Sequence, residues 1–415
     1  MKRKLLTQMR TEWRGNIWLL VEFLLISLII WYVCVNLYGL YLRYNPSKGY
    51  DFNNIYVASV GYISPDVPSF IQYPDDEIYD AYRRDFDNII NRIRQHPAVE
   101  VVGAGHNAVP YNYSYNGIQL AAVDGTDTLY YQANHRIMDA NVMRALKVQG
   151  ANGESTEQLI EMLEDGKVLI STFDDAAAET NEVDMGLPER LAGKKMFDGQ
   201  SSVDVAPALI NNMRRNDYES AWGGLLVRMP SPQSTTGSLI IRIRPGMDRE
   251  FCEWIQNERL RAGNIYIANT ESLKHQREAT EQPYETIILR MSIILVFMIT
   301  LVFLGFLGTY WFRIQERVPE IAIRKAMGAT NFRVGSRLWA EGFIIMGITV
   351  ALFVPLMVWF IHSDYFGQQI GGLPQRGYYA IAITVVILAL LVLAGIYFPA
   401  RRAMKINPAI ALKEQ

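Results

Sequence analysis

The stretch "ERVPEIAIRKAMGAT", residues Glu316–Thr330, sets charges of both signs beside small and apolar residues. On a helical wheel the two kinds of side chain separate, which predicts a short amphipathic helix. Glu320 and Arg324 have the spacing of a favourable i,i+4 ion pair, Pro319 suits a first helical turn, and Gly328 suits a C-terminal cap. Such a helix can recognise a partner, because its small residues allow close approach while its charges fix the register.

The wheel defines two faces of this predicted helix. The small and apolar face holds Val318, Ile321, Ala322, Ala326 and Ala329. The charged face holds Glu316, Arg317, Glu320 and Arg324, with Ile323 and Met327 at the border. Two interpretations stay open: a helix lying among lipid headgroups with its basic residues on phosphates, or a helix that docks on a partner protein.

The sequence carries no motif typical of catalysis or of cofactor binding. The two Gly-Lys pairs, at residues 166–167 and 193–194, continue with Val and Lys, so neither resembles a phosphate-binding loop. No HExxH or GxSxG motif occurs, and the five histidines lack the spacing of metal ligands. We therefore expect no enzyme activity, no metal and no cofactor in this chain. Cys34 lies in an apolar run and Cys252 outside it, so no disulfide between them is expected.

Composition indicates that a membrane region is combined with an ordinary soluble region. Half of the residues are hydrophobic while 20% are charged, and the net charge of −2 gives no sign of nucleic-acid binding. Windows of about 20 residues identify apolar runs long enough to cross a bilayer as helices. The four predicted spans are 17–42, 291–312, 339–361 and 378–400.

The basic residues near these spans predict the topology, because cytoplasmic segments carry the excess of Lys and Arg. Segments 1–16, 313–338 and 401–415 are rich in basic residues and are predicted to be cytoplasmic. Segment 362–377 carries only Arg376 and is predicted to be a short external loop, while 43–290 forms a large external domain. The cytoplasmic loop 313–338 then contains the amphipathic helix. Glu22 and Glu341 lie near the cytoplasmic ends of their spans, where we expect a structural role through the interface or a nearby arginine.

The external domain is predicted to be mixed α/β. Strand-like segments are "NIYVASVGYI", "VEVVGAGHNAV", "GIQLAAVDG", "GKVLIST" and "GSLIIRIRPG". Helical periodicity appears in "DEIYDAYRRDFDNIINRIRQHP" and in a segment that starts near Asp248. A third helix is predicted from about Glu271, running as a stalk into the second span in spite of Pro283.

Two cytoplasmic motifs resemble a known family. "ERVPEIAIRKAMGAT" resembles the E-R-x-x-E-I-x-I-R-x-A-x-G-A signature of FtsX-like and MacB-like ABC transporter permeases. "PARRAMKINPAIAL" resembles their closing motif, at Pro399, Arg401, Arg402, Pro408 and Leu412. The order of parts, one span, a large outer domain and three spans, is similar to MacB and to the lipoprotein-releasing LolC and LolE permeases. Pro319 and Ala322 depart from residues common in the signature, and we expect the ATPase to be a separate chain, unlike the fused ATPase domain of MacB.

The resemblance implies a multi-pass permease of a bacterial inner membrane, with its large domain in the periplasm. ATP and magnesium would act in a separate ABC ATPase subunit, and the motion would pass through the cytoplasmic helix and the stalk to the outer domain. The coupling residues implied are Glu316, Arg317, Glu320, Ile321, Ile323, Arg324, Ala326, Gly328 and Ala329. A second permease chain, membrane lipids, a periplasmic adaptor and an outer-membrane channel are the other implied partners.

Three alternatives share parts of this pattern. A LolC/LolE-like permease that releases lipoproteins would have the same topology and a different cargo. An FtsX-like regulator of cell-wall hydrolases is disfavoured because its outer domain is much smaller. A receptor without an ATPase would require the stretch Glu316–Thr330 to be a lipid-surface helix only.

Overall fold

The computed structural model describes residues 13–44, 48–112, 114, 116–124, 127–173, 184–199, 201–214, 216–218, 223–231, 237–363 and 374–405. The chain divides into two compact units. The helical unit comprises Met1–Leu42 and Glu285–Gln415, and the inserted unit comprises Arg43–Tyr284.

Four long helices dominate the helical unit, and each is long and apolar enough to cross a membrane. They are α1 (Trp13–Tyr44), α7 (Leu273–Glu316), α9 (Asn331–His362) and α10 (Pro374–Met404), with the short helix α8 (Val318–Ala326) between α7 and α9. Each of the four predicted spans lies within one of these helices. The helix α7 also contains Pro283, so the prediction of one continuous helix from the inserted unit into the second span is confirmed.

Packing in the helical unit depends on close approach between α9 and α10. A Cβ atom added at Gly342 would lie 2.2 Å from Ile396 Cδ1 and 3.1 Å from Val392 Cγ1, so a larger residue would require these side chains to shift. Small residues at such contacts let apolar helices pack through van der Waals contact where no hydrophobic effect drives them together. The buried cluster around this contact includes Phe306, Tyr310 and Ile345.

The described residues of the inserted unit form eleven strands. They are β1 (Ile55–Tyr62), β2 (Val99–His106), β3 (Gly117–Asp124), β4 (Asp127–Met138), β5 (Val168–Ser171), β6 (Lys195–Phe197), β7 (Ser202–Ile210), β8 (Gly224–Arg228), β9 (Ser238–Ile243), β10 (Arg261–Ala262) and β11 (Ile265–Ser272). The helices are α2 (Ile78–Arg94), α3 (Ala140–Leu146), α4 (Thr156–Glu164), α5 (Leu187–Leu191) and α6 (Asp248–Glu258).

The strand order is β10-β11-β1-β9-β2-β4-β3-β6-β7-β5-β8. Strand β8 also pairs in parallel with β4, so the last six strands close into a ring that leaves no open edge between them. Strands β1 and β9 bury both faces. Tyr56 and Ala58 pack on the side of α2 and α6, whereas Ile55 and Val57 pack on the side of α3 and α4.

The strand and helix predictions for this unit are confirmed as far as they went. The five predicted strand segments form β1, β2, β3, β5 and β9, and the helical segments form α2 and α6. Cys34 and Cys252 are both free, as expected. The sequence did not predict β4, β6, β7, β8, β10, β11, α3, α4 or α5. Of the six missed strands, β4, β6, β7 and β8 lie in the ring, and β10 and β11 pair with each other.

A buried polar cluster holds the first turns of α7 inside the inserted unit. Asp217 accepts from Arg277 Nε at 2.9 Å and from the Tyr111 hydroxyl at 3.1 Å, and it pairs with Lys48. Arg277 Nε also lies 2.9 Å from Glu281 Oε1. Burial alone would raise the pKa of Asp217, but hydrogen bonds from Glu281, Lys48 and Arg277 outweigh it and lower that pKa below 3.8. The cluster therefore shares one arginine between two carboxyl groups.

Glu281 gives this cluster a pH dependence. Burial, together with the neighbouring Asp217 carboxylate, raises the pKa of Glu281 from 4.5 to about 8. The folded unit thus holds a proton that the unfolded chain releases, so the stabilising contribution is complete below pH 4.5 and is lost as the pH rises to about 8. Glu281→Gln keeps the neutral shape, and we expect the stability of this variant to fall less between those pH values than that of the parent. The thermal-unfolding midpoints of both full-length chains are measured in detergent across that pH range. If the two midpoints change with pH in the same way, the raised pKa is wrongly assigned to Glu281.

Candidate functional site

The stretch Glu316–Thr330 forms the predicted short helix. Helix α8 runs from Val318 to Ala326 with Pro319 in its first turn, and its chain leaves through Gly328, whose φ is +89°. Thr330 then caps α9, because its side chain accepts from the backbone N–H of Arg333. The expected start and stop signals therefore act as predicted: Pro fits where no N–H is needed, and Gly adopts the left-handed backbone that ends a helix.

Charged side chains hold the start of α8 on the helical unit. Arg317 Nη1 donates to both carboxylate oxygens of Glu341 on α9, at 3.0 and 2.8 Å, and Arg337 Nε lies 3.6 Å from the same carboxylate. Glu341 is 5% exposed. This bifurcated contact is charge-assisted and therefore stronger than a neutral hydrogen bond, so it fixes the position of the turn between α7 and α8.

The end of α8 has a second attachment, to α10. Lys325 Nζ donates to the backbone oxygen of Met404 at 2.6 Å. Ile321 and Ala322 are buried, and Ile321 belongs to the apolar cluster that also contains Val334 and Ala400. Helix α8 is thus bound to both α9 and α10 within one compact unit, so a force applied to α8 would act on those helices.

The outer side of α8 combines apolar and charged residues. Ile323 is 48% exposed and Met327 is 78% exposed, while Glu320 and Arg324 form the predicted i,i+4 ion pair. Two residues differ from the helical wheel. Ala326 is exposed although the wheel groups it with Ile321, and Arg317 turns inward to Glu341 although the wheel places it on the charged face. Tertiary contacts, which a wheel does not contain, cause the second difference.

A cavity of about 340 Å³ lies between α8 and the first turns of α9. Its walls contain four arginines, two glutamates and several apolar side chains. The lining residues are Arg317, Glu320, Ile321, Arg324, Met327, Gly328, Ala329, Arg333, Val334, Arg337, Leu338 and Glu341. The cavity brings six of the nine predicted coupling residues together and leaves out Glu316, Ile323 and Ala326. We call it the coupling cavity.

The predicted C-terminal motif is only partly within the described residues. Pro399 lies inside α10, Arg401 is exposed, and the Arg402 guanidinium lies 4.3 Å from the centre of the Trp311 ring. This stacking joins the ends of α10 and α7 within the helical unit. Pro408 and Leu412 lie outside the described residues.

Glu341 and Glu22, the two glutamates of the predicted spans, each lie against other residues of the helical unit. Glu341 pairs with Arg337, as the sequence suggested, and also with Arg317. Glu22 lies against α7, because a Cβ atom added at Gly305 would be 2.7 Å from Glu22 Oε1. Arg333 and Lys325 were not predicted as site residues, although their place in the most basic loop of the chain is a signal for them. Among the described residues, no group of three or more His, Cys, Asp or Glu side chains could hold a metal ion.

The C-terminal part of the chain matches a known family. Residues 292–408 match the model of the FtsX-like permease C-terminal region. No curated protein matches the chain. Among solved structures, the extracellular domain of the noncanonic ABC-type transporter YknZ from Gram-positive bacteria aligns with 51% of this chain and 100% of that domain, at 10% identity and a TM-score of 0.29. That TM-score does not establish a common fold. The matched segment contains α8, α9 and α10, so the C-terminal part of this chain is similar to the FtsX-like permease C-terminal region.

Proposed function

We propose that this chain is the permease subunit of a MacB-type ABC exporter. In this proposal it transmits ATP-driven motion of a separate ATPase subunit to the inserted unit, which then expels a substrate. The observation that carries the proposal is helix α8 itself. It lies in the segment that matches the family, it is bound to α9 and α10, and it still exposes Ile323 and Met327 to a partner.

The chain supports each step of this transmission with its own residues. Exposed apolar side chains on α8 give an ATPase subunit a surface to bind, since buried anchors supply most of the affinity in protein interfaces. The Arg317–Glu341 pair and the Lys325 contact pass displacement of α8 to α9 and α10. Helix α7 continues without a break into the inserted unit, where Arg277 fixes it through Asp217. ATP and magnesium belong to the ATPase in this scheme.

Isolation of the native complex tests the proposal. The chain is extracted from its membrane in mild detergent through an affinity tag, and its partners are identified by mass spectrometry. We expect a partner that carries a phosphate-binding loop and hydrolyses ATP, present in a fixed ratio to this chain. A chain that purifies folded and without such a subunit would overturn the proposal.

Transmission of this kind requires α8 and the inserted unit to be exposed on opposite sides of the membrane. Thiol labelling tests this requirement. In a chain with Cys34→Ala and Cys252→Ser, we expect Asn331→Cys to be protected from a membrane-impermeant maleimide in intact spheroplasts. Glu161→Cys, at an exposed position of α4, should react. The asymmetry follows from the excess of basic residues around α8. Reversed labelling would contradict the predicted topology.

A further inference from the structure

The charges of the coupling cavity do not balance. Glu341 faces both Arg317 and Arg337, and Glu320 is used by Arg324. Among the residues that the structure describes, no acidic side chain pairs with Arg333, which lies exposed at the first turn of α9. Four arginines against two glutamates leave a formal charge of +2 on the cavity walls. An occupant of the cavity should therefore carry negative charge.

The rest of the cavity is apolar. Ile321, Val334 and Leu338 are buried residues whose side chains line it, and Met327 lines it while remaining mostly exposed. A volume of about 340 Å³ is within the range of pockets that take a compact ligand or a few side chains. An apolar group seated here would remove these surfaces from water, whereas a bare anion would leave them exposed.

We propose that the coupling cavity receives an acidic, apolar segment of the ATPase partner. An apolar side chain of that segment packs on Ile321, Val334 and Leu338, and a neighbouring carboxylate pairs with Arg333. The inference rests on the proposed function, because it names the part of the ATPase that α8 and α9 recognise. Charge complementarity selects this occupant: a carboxylate satisfies Arg333 while the apolar lining requires a side chain beside it.

A charge reversal tests the pairing with Arg333. Arg333→Glu should weaken binding of the purified ATPase by at least about tenfold, because two carboxylates would then face each other. The substitution should not harm the fold, since an acidic residue in the first turn of α9 is favourable toward the helix dipole. Lys405→Glu, at an exposed position outside the cavity, is the matched control and should bind as the parent does. The thermal midpoint of each variant verifies that it is folded.

A zero-length cross-link identifies the occupant. Arg333→Lys keeps the positive charge and supplies a primary amine, which a carbodiimide joins to a carboxyl group in direct contact. In the purified complex we expect a cross-linked peptide between Lys at position 333 and an Asp or Glu of the ATPase that has apolar neighbours. In the same experiment, the native Lys405, which lies outside the cavity, should give no cross-link to the ATPase.

The outcomes separate this inference from the proposed function. If the parent binds the ATPase and Arg333→Glu binds it equally well, the cavity assignment is wrong while the permease function stands. A cross-link from position 333 to the chain's own acidic residues would also overturn it. Binding of anionic lipid by the parent that Arg333→Glu abolishes, with no cross-link to the ATPase, would assign the cavity to a headgroup instead. Failure of the parent to bind any ATPase would remove both the inference and the proposed function.

Discussion

Glu341→Leu is expected to destabilise the helical unit by about 3 to 5 kcal/mol, the usual cost of removing one partner of a buried ion pair. The substitution leaves Arg317, whose guanidinium donates to both Glu341 oxygens, beside the second arginine Arg337 without their shared carboxylate. The measurement is the thermal-unfolding midpoint of the full-length chain in detergent.

The matched control for Glu341→Leu is the double variant Arg317→Leu/Glu341→Leu. Replacing both charges by apolar groups removes the Arg317 guanidinium together with the carboxylate that it faces, so we expect most of the lost stability to return. Coupling to the ATPase should nevertheless stay impaired, because the link from α8 to α9 is absent. A double variant no more stable than Glu341→Leu alone would show that the pair does not have the assigned role.

Gly328→Val is expected to abolish ATPase binding while the chain stays in the membrane at normal abundance. Gly328 has φ +89°, and a branched side chain in left-handed backbone costs at least about 1 to 2 kcal/mol. No atom lies within 4 Å of the Cβ position, so the Cβ atom itself meets no crowding and we expect the effect to come from the backbone. The turn should relax away from this conformation and displace the end of α8. Binding of the purified ATPase in detergent measures the result.

Gly328→Asn is the control that isolates the backbone effect. Asparagine adopts positive φ more readily than other side chains, so this variant should keep the turn and bind the ATPase nearly as well as the parent. Equal binding by the Val and Asn variants would mean that the geometry of the α8 turn is not used in docking. The lipid-surface interpretation of this helix would then replace the docking interpretation.

Local signals made the helical unit largely predictable. Apolar runs located α1, α7, α9 and α10, while Pro319, Gly328 and the Glu320–Arg324 spacing located α8 with its cap and its ion pair. Each of these signals lies within a few residues of what it determines. The cap and pair predictions succeeded because they need no knowledge of the remaining fold.

Long-range contacts set the limit of prediction. The Arg317–Glu341 pair joins the turn before α8 to α9, across 24 positions of the sequence, so the wheel placed Arg317 on the wrong side. The parallel pairing of β4 with β8 closes the ring in the inserted unit across a long separation in sequence. Strand pairing of this kind depends on tertiary packing more than on intrinsic propensity, and the sequence of β4 alone does not reveal its neighbours.

The most direct test of transmission is hydrogen exchange of the purified complex with and without ATP. We expect ATP and magnesium to change amide exchange at the start of α7 around Arg277 in the inserted unit, far along the chain from α8. In the Gly328→Val chain, ATP should leave that exchange unchanged. If the parent complex hydrolyses ATP while exchange throughout residues 43–284 stays the same, the inserted unit receives no motion and the central claim is contradicted.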